Sequence, residues 1–353
     1  MAIPMAYATA SAGMHPSHTL PMKLRAIAQA KFEWTEVAMP DLEAYASSKY
    51  EDYRHLDVSG EGDLEKLVEA TSEIHALCVE LGLQVLTVMP FSQFEGYVDE
   101  EKLSRGLKRA RAWFRVLKAL DCQMLQVGSS NDPQITSDFS RMAADLQLLA
   151  DEAAKQDPPI KIAYEMWAWG TYVNTWEHTW DICKRVDRPN FGLCLDTFQI
   201  SAVYYATTVA LSSDLETSLP LPAPSLEISL KNLTETLSQN LSKIFYAQIS
   251  DGSRVDPNQL SQEAKDKGIH ALYAWSNSYR PLPFQQGKES FLPVIEVMRA
   301  ILATGWIGPW SYEVFLTSDQ DRDDPNIPYF WTCEAVRSHL TILGKLKSER
   351  SAK

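Results

Sequence analysis

The chain has 353 residues, 45% of them apolar and 22% charged, with a net charge of −13. That length and balance suit one large soluble core and exclude a disordered or low-complexity chain. The excess of acid argues against a nucleic acid or an anionic membrane as partner, because the phosphate-neutralising charge is missing. A small-molecule substrate remains, and an anionic one would need a metal or a local cation.

No run reaches the ~18 apolar residues of a membrane span. The opening MAIPMAYATASAGM has no basic region ahead of a long apolar stretch, so no secretory signal is expected and the expected location is cytoplasmic. Cys78, Cys122, Cys183, Cys194 and Cys333 stand singly, with no CxxC spacing, and are expected as reduced, buried small residues. Oligomeric state is left open.

Strand and helix alternate from end to end. The expected strands are Ile3–Ala10, Trp34–Met39, Gln84–Met89, Gln123–Val127, Lys161–Glu165, Phe191–Asp196, Ile244–Ile249 and Trp310–Phe315. Between them lie longer amphipathic stretches, including Asp63–Leu81, Glu100–Leu120, Ser137–Lys155 and Leu226–Leu241. In the first of these, Leu64, Leu67, Val68, Thr71, Ile74 and Leu77 recur at helical spacing. Eight strands alternating with helices predict an α/β fold, a single (β/α)8 barrel domain spanning the chain. Two stretches break the rhythm: an insertion at about 200–225, ending in SLPLPAPS, and a loop at about 251–287 carrying WSNSYRPLPFQQG. Both follow strands, so both are expected over the catalytic face. The terminal KSERSAK is expected to fray.

Four of the later strands end in a hard donor. PPIKIAYE ends at Glu165, NFGLCLD at Asp196, KIFYAQ at Gln248 and GPWSYE at Glu313. The C-terminal strand ends of such a barrel converge on one site. Three carboxylates and an amide carbonyl there would hold one divalent cation, with Mg²⁺ or Mn²⁺ favoured by hard oxygen donors.

The order PFSQFEG (Pro90–Gly96), IAYE (Ile162–Glu165), RPNFGLCLDTF (Arg188–Phe198), KIFYAQISD (Lys243–Asp251), then FLPV and YEVF, resembles the fungal 3-dehydroshikimate dehydratases of the xylose-isomerase-like barrel group. RPNFGLCLDTF is the most specific of these stretches. The resemblance implies a divalent-metal hydro-lyase converting 3-dehydroshikimate to protocatechuate, with the metal on Glu165, Asp196, Gln248 and Glu313. It also marks departures. Where the group often has D-x-x-H, this chain has Gln199, which can hold a hydroxyl but cannot exchange a proton near neutral pH. Trp167 stands where some bacterial relatives carry a polar catalytic group, and the segment after the last Glu reads LTSDQDRDD.

Glu165 and Glu313, from the fifth and eighth strands, are the candidate bases, with Gln199 as the third catalytic candidate. Arg280 is the candidate for a substrate carboxylate, since arginine pairs with it bidentately, and Asp251 is its candidate support. His18, in HPSHTL, is a candidate substrate contact, and Phe91, Trp167 and Phe198 are candidates for an apolar wall against a six-membered ring. His270 is expected in solvent and His178 in the outer helical layer. A metal–enolate site of this kind also serves an isomerase or epimerase of a keto-sugar or keto-polyol, and a barrel that binds metal without turnover is the further alternative.

Overall fold

The computed structural model describes residues 3–209 and 225–348. Of the insertion expected at about 200–225, residues 210–224 lie outside the described residues, whereas 200–209 continue a helix, Thr197–Val209. Most of KSERSAK is likewise outside them.

Eight parallel strands close a barrel. In chain order they are β1 (Met5–Ala8), β2 (Trp34–Ala38), β3 (Gln84–Phe91), β4 (Met124–Gly128), β5 (Lys161–Glu165), β6 (Phe191–Asp196) and β7 (Ile244–Ile249). Next comes β8 (Tyr279–Arg280), outside the barrel, and then β9 (Trp310–Tyr312), which pairs with both β7 and β1 to close it. The expected strand Trp310–Phe315 therefore splits. Its tail, β10 (Phe315–Leu316), leaves the barrel and pairs antiparallel with β8. The segment 251–287 is also more ordered than a bare loop. It contains helices Pro257–Lys267 and Ala271–Ser278, the first capped by Asp256, which accepts from the N–H groups of Asn258 and Gln259.

Helix ends follow local chemistry. Asp99 and Asp138 accept backbone N–H bonds at the starts of Glu100–Ala119 and Phe139–Ala154. Gly82, at φ 70°, ends Leu64–Leu81 in the left-handed conformation that a Cβ disfavours. That helix turns Leu67, Ala70, Ile74 and Cys78 onto the barrel. Four of the five cysteines are buried as expected; Cys333 is exposed. Among the described residues no helix is long and apolar enough to cross a membrane.

A second apolar cluster fills the barrel interior: Ala6, Leu86, Met124, Ala163, Cys194 and Tyr246. Side chains alternate along a strand. Two residues beyond Met124, Ala163, Cys194 and Tyr246 come Gln126, Glu165, Asp196 and Gln248. Pleating thus aims each polar group inward, one layer nearer the C-terminal mouth.

Candidate metal centre

Strand register brings the donors together. Glu165 lies beside Cys194, Asp196 beside Gln248, and Gln248 beside Ser311, two residues before Glu313. Carboxylate oxygens of Glu165, Asp196 and Glu313 all lie within 4.8 Å of one another, and all three residues are buried. A cavity of about 320 Å³ opens above them, lined by Glu165, Glu313, Gln126, Trp167, Gln199 and Arg280 among others.

Each carboxylate is held from outside. Glu165 Oε2 accepts from the amide of Gln126 and, at 3.3 Å, from the indole N–H of Trp167. Its Oε1 is buried with no partner. Asp196 Oδ1 accepts the backbone N–H groups of Phe198 and Gln199 at 2.6 and 3.3 Å, at the start of the helix that follows β6. Arg280 bridges the remaining edges, reaching Asp196 Oδ2 at 2.7 Å and Glu313 Oε2 at 2.9 Å. Its other donors go to Ser250 Oγ at 2.9 Å and Ser276 Oγ at 3.2 Å.

The electrostatics follow from crowding. Burial, then the neighbouring charges of Glu313 and Asp196, push the Glu165 carboxyl well above the usual carboxylate range. Burial pushes Glu313 up to about 8, with Arg280 pulling the other way. Burial opposes the charge of Arg280, but Asp196 and Glu313 outweigh it and raise its pKa. Buried carboxylates this close, one with an orphaned oxygen, fit a divalent cation, whose charge would reverse the strain on them.

Gln248 stands beside Asp196 in the strand register. Its amide nitrogen donates to Glu36 at 3.0 and 3.3 Å, and its carbonyl oxygen accepts from Cys194 Sγ at 3.3 Å. Gln199 lines the cavity, and its carbonyl oxygen accepts the Ala168 N–H at 3.0 Å. Its NH2 group remains able to meet a hydroxyl. Trp167 also lines the cavity, stacked on Trp169, which in turn stacks on Tyr273. The Trp167 ring lies against Gly128, where any Cβ would come within 2.3 Å of it.

Several expected substrate contacts lie elsewhere. His18 is buried away from the cavity, its Nε2 on the carbonyl oxygen of Asp324 at 3.0 Å. Phe91 turns outward into the layer between barrel and helices, against Phe94 and Trp113. Phe198 lies behind Arg280, its ring 4.6 Å from the guanidinium carbon, and edge-on to Trp275. Asp251 accepts the backbone N–H groups of Gly252, Phe291 and Leu292, so it staples the loop rather than supporting Arg280. Arg280 itself lines the cavity but is only 1% exposed, with four of its five N–H groups on protein partners. His270, expected in solvent, is half-buried and caps Ala271–Ser278 by accepting from the Leu272 N–H. His178 packs against Phe139 in the outer layer.

Glu36, which meets Gln248, and Gln126, Lys23 and Asp41, which line the cavity, were not singled out by the sequence. The signal for the first two was present as single polar residues inside the apolar runs WTEVA and MLQVG. Burial raises the Glu36 pKa to about 7 against hydrogen bonds that include those from Tyr246 and Gln248.

The closed parallel barrel carries at its C-terminal mouth an acidic cluster that could hold a metal ion. The chain belongs to the xylose isomerase-like TIM barrel family, whose profile matches residues 24–328. It is 31% identical over 269 residues to a 3-dehydroshikimate dehydratase of Neurospora crassa, covering 75% of this chain and 73% of that protein. A 3-dehydroshikimate dehydratase of Pseudomonas aeruginosa is 30% identical over 299 residues, covering 85% of this chain. The chain spans 36% of that longer relative. Among solved structures, the IOLI protein with a bound zinc atom superposes with a TM-score of 0.67 at 15% identity, covering 98% of this chain and 99% of that one. At that identity the likeness concerns the fold.

Proposed function

We propose that this chain dehydrates 3-dehydroshikimate to protocatechuate at the mouth of the barrel. The observation that carries the reading is the buried triad Glu165, Asp196 and Glu313, in a chain 31% identical to a 3-dehydroshikimate dehydratase. The hard oxygen donors favour Mg²⁺ or Mn²⁺, held by Glu165, Asp196 and Glu313, with Gln248 as the neighbouring amide donor. Such a cation, when bound, polarises the substrate ketone and stabilises charge that develops on its oxygen.

The protein groups then move protons. A carboxylate, Glu165 or Glu313, takes the C4 proton next to the ketone. The freed electron pair forms the C4–C5 double bond as the C5 hydroxyl departs with a proton as water. Loss of a C6 proton and protonation of the ketone oxygen complete the aromatic ring, so one water is lost and nothing is oxidised. Glu165 and Glu313 line the cavity and can carry these protons, whereas Gln199 has none to exchange. Gln199 instead orients a hydroxyl, while Trp167, Trp169 and Tyr273 form an aromatic wall on the same cavity. Assay of the purified protein with Mn²⁺ or Mg²⁺ for an aromatic product tests the reading.

A further inference from the structure

Lys23 sits on the helix Leu20–Gln29 and lines the cavity above the carboxylate triad. Its side chain is 6% exposed, an unusual position for a lysine unless it is paired. Its ammonium donates to Asp41 Oδ1 at 2.8 Å. Asp41 also lines the cavity, and its Oδ2 is buried without a partner. An ammonium has three donors, and the structure gives Lys23 this one acceptor. The other cation on the cavity, Arg280, places four of its five N–H groups on Asp196, Glu313, Ser250 and Ser276. Lys23 thus keeps two N–H groups to place, where Arg280 keeps one.

We infer that Lys23 holds the substrate's carboxylate, with Asp41 fixing the ammonium in position. The inference rests on the dehydratase reading, and it places the carboxylate on a lining cation that is not paired with the three acidic donors. The pairing is a charge-assisted hydrogen bond, which a neutral side chain cannot replace. Asp41 keeps the lysine pre-positioned, so little side-chain freedom is lost when the substrate arrives.

The test compares 3-dehydroshikimate with its methyl ester, on wild type and on the double variant Lys23→Met with Asp41→Asn. The double change removes the cation without leaving a buried aspartate unpaired, so folding is preserved and is checked by melting. Wild type should prefer the acid over the ester by about 10–100-fold in kcat/KM, and the variant should lose that preference through KM, with kcat within about threefold. Lys23→Arg should restore part of the preference. Turnover without preference for the acid, or a preference that survives in the double variant, overturns the inference and leaves the dehydratase reading standing. Absence of turnover of either compound by wild type sinks both.

Discussion

The side-chain amide of Gln248 lies across both carboxylate oxygens of Glu36, its nitrogen 3.0 and 3.3 Å from them. Both Glu36 oxygens accept from this nitrogen, so the contact sets which end of the amide points which way. The nitrogen is drawn to Glu36, and the carbonyl oxygen is left on the side of Cys194, in register with Asp196. Gln248 can serve as a metal ligand only in that sense. Replacing Glu36 with Gln, which both donates and accepts, removes the selection. Glu36→Gln should weaken Mn²⁺ binding by about 10–100-fold, read by titration of the free protein with the ion and without substrate. Unchanged affinity would mean that Gln248 is not a ligand or does not need Glu36 to orient it.

Arg280 joins Asp196 and Glu313 as a built-in counter-charge. Truncation leaves two buried carboxylates unbalanced. Arg280→Ala should destabilise the fold by about 3–5 kcal/mol, the range for breaking a buried ion pair. Saturating Mn²⁺ should recover more stability in the variant than it adds to wild type, because the ion then neutralises the same groups. Thermal melts with and without the ion check this. Equal gains in both proteins would separate Arg280 from the metal centre.

Gly128→Ala places a methyl where the Trp167 ring lies, at 2.3 Å. The indole that donates to Glu165 must then move. The expected result is a folded protein with shifted tryptophan fluorescence and kcat lowered by about 10-fold or more, since small displacements at a reacting site are costly. Full activity with the shifted fluorescence would show that the Trp167 contact is dispensable.

What was legible in the sequence was the barrel and its donors. Lys161–Glu165, Phe191–Asp196 and Ile244–Ile249 are strands with the expected bounds, because each is a short apolar run with a clear stop. Their terminal donors stood out because the same event recurred four times. Glu36 and Gln126 did not, since one polar residue inside a strand has no visible partner until the closed barrel brings Glu36 against Gln248 and Gln126 against Glu165. Phe91, Phe198, His18 and Asp251 show the opposite limit. Nearness to a strand end in sequence does not say which way a side chain turns, and all four turn to packing or to backbone. The pair β8 and β10 is two residues long on each side, too short for any periodicity, yet it is what seats Arg280 beside Asp196.

His339 supplies a pH dependence independent of the metal centre. It packs against Trp310 and its Nδ1 is 3.0 Å from the Tyr312 hydroxyl. Burial lowers its pKa from 6.5 to about 4. The depressed value means that the folded state keeps it neutral where the unfolded chain takes up a proton. Its contribution is whole above pH 6.5 and is lost as pH falls toward about 4, at up to about 1.4 kcal/mol per pH unit. Denaturant titrations over this window should show His339→Gln with a shallower acid loss than wild type. Parallel curves would mean that His339 is not held neutral by burial.

The most direct test is turnover itself. Purified wild-type protein, stripped of metal and then given Mn²⁺ or Mg²⁺, is mixed with 3-dehydroshikimate, and the product is followed by its aromatic absorbance. The expected result is protocatechuate formed with the ion, little formed without it, and turnover reduced by about 100-fold or more in Glu313→Gln. Wild type that binds the ion but forms no aromatic product, or that instead interconverts keto-sugars, would contradict the dehydratase assignment.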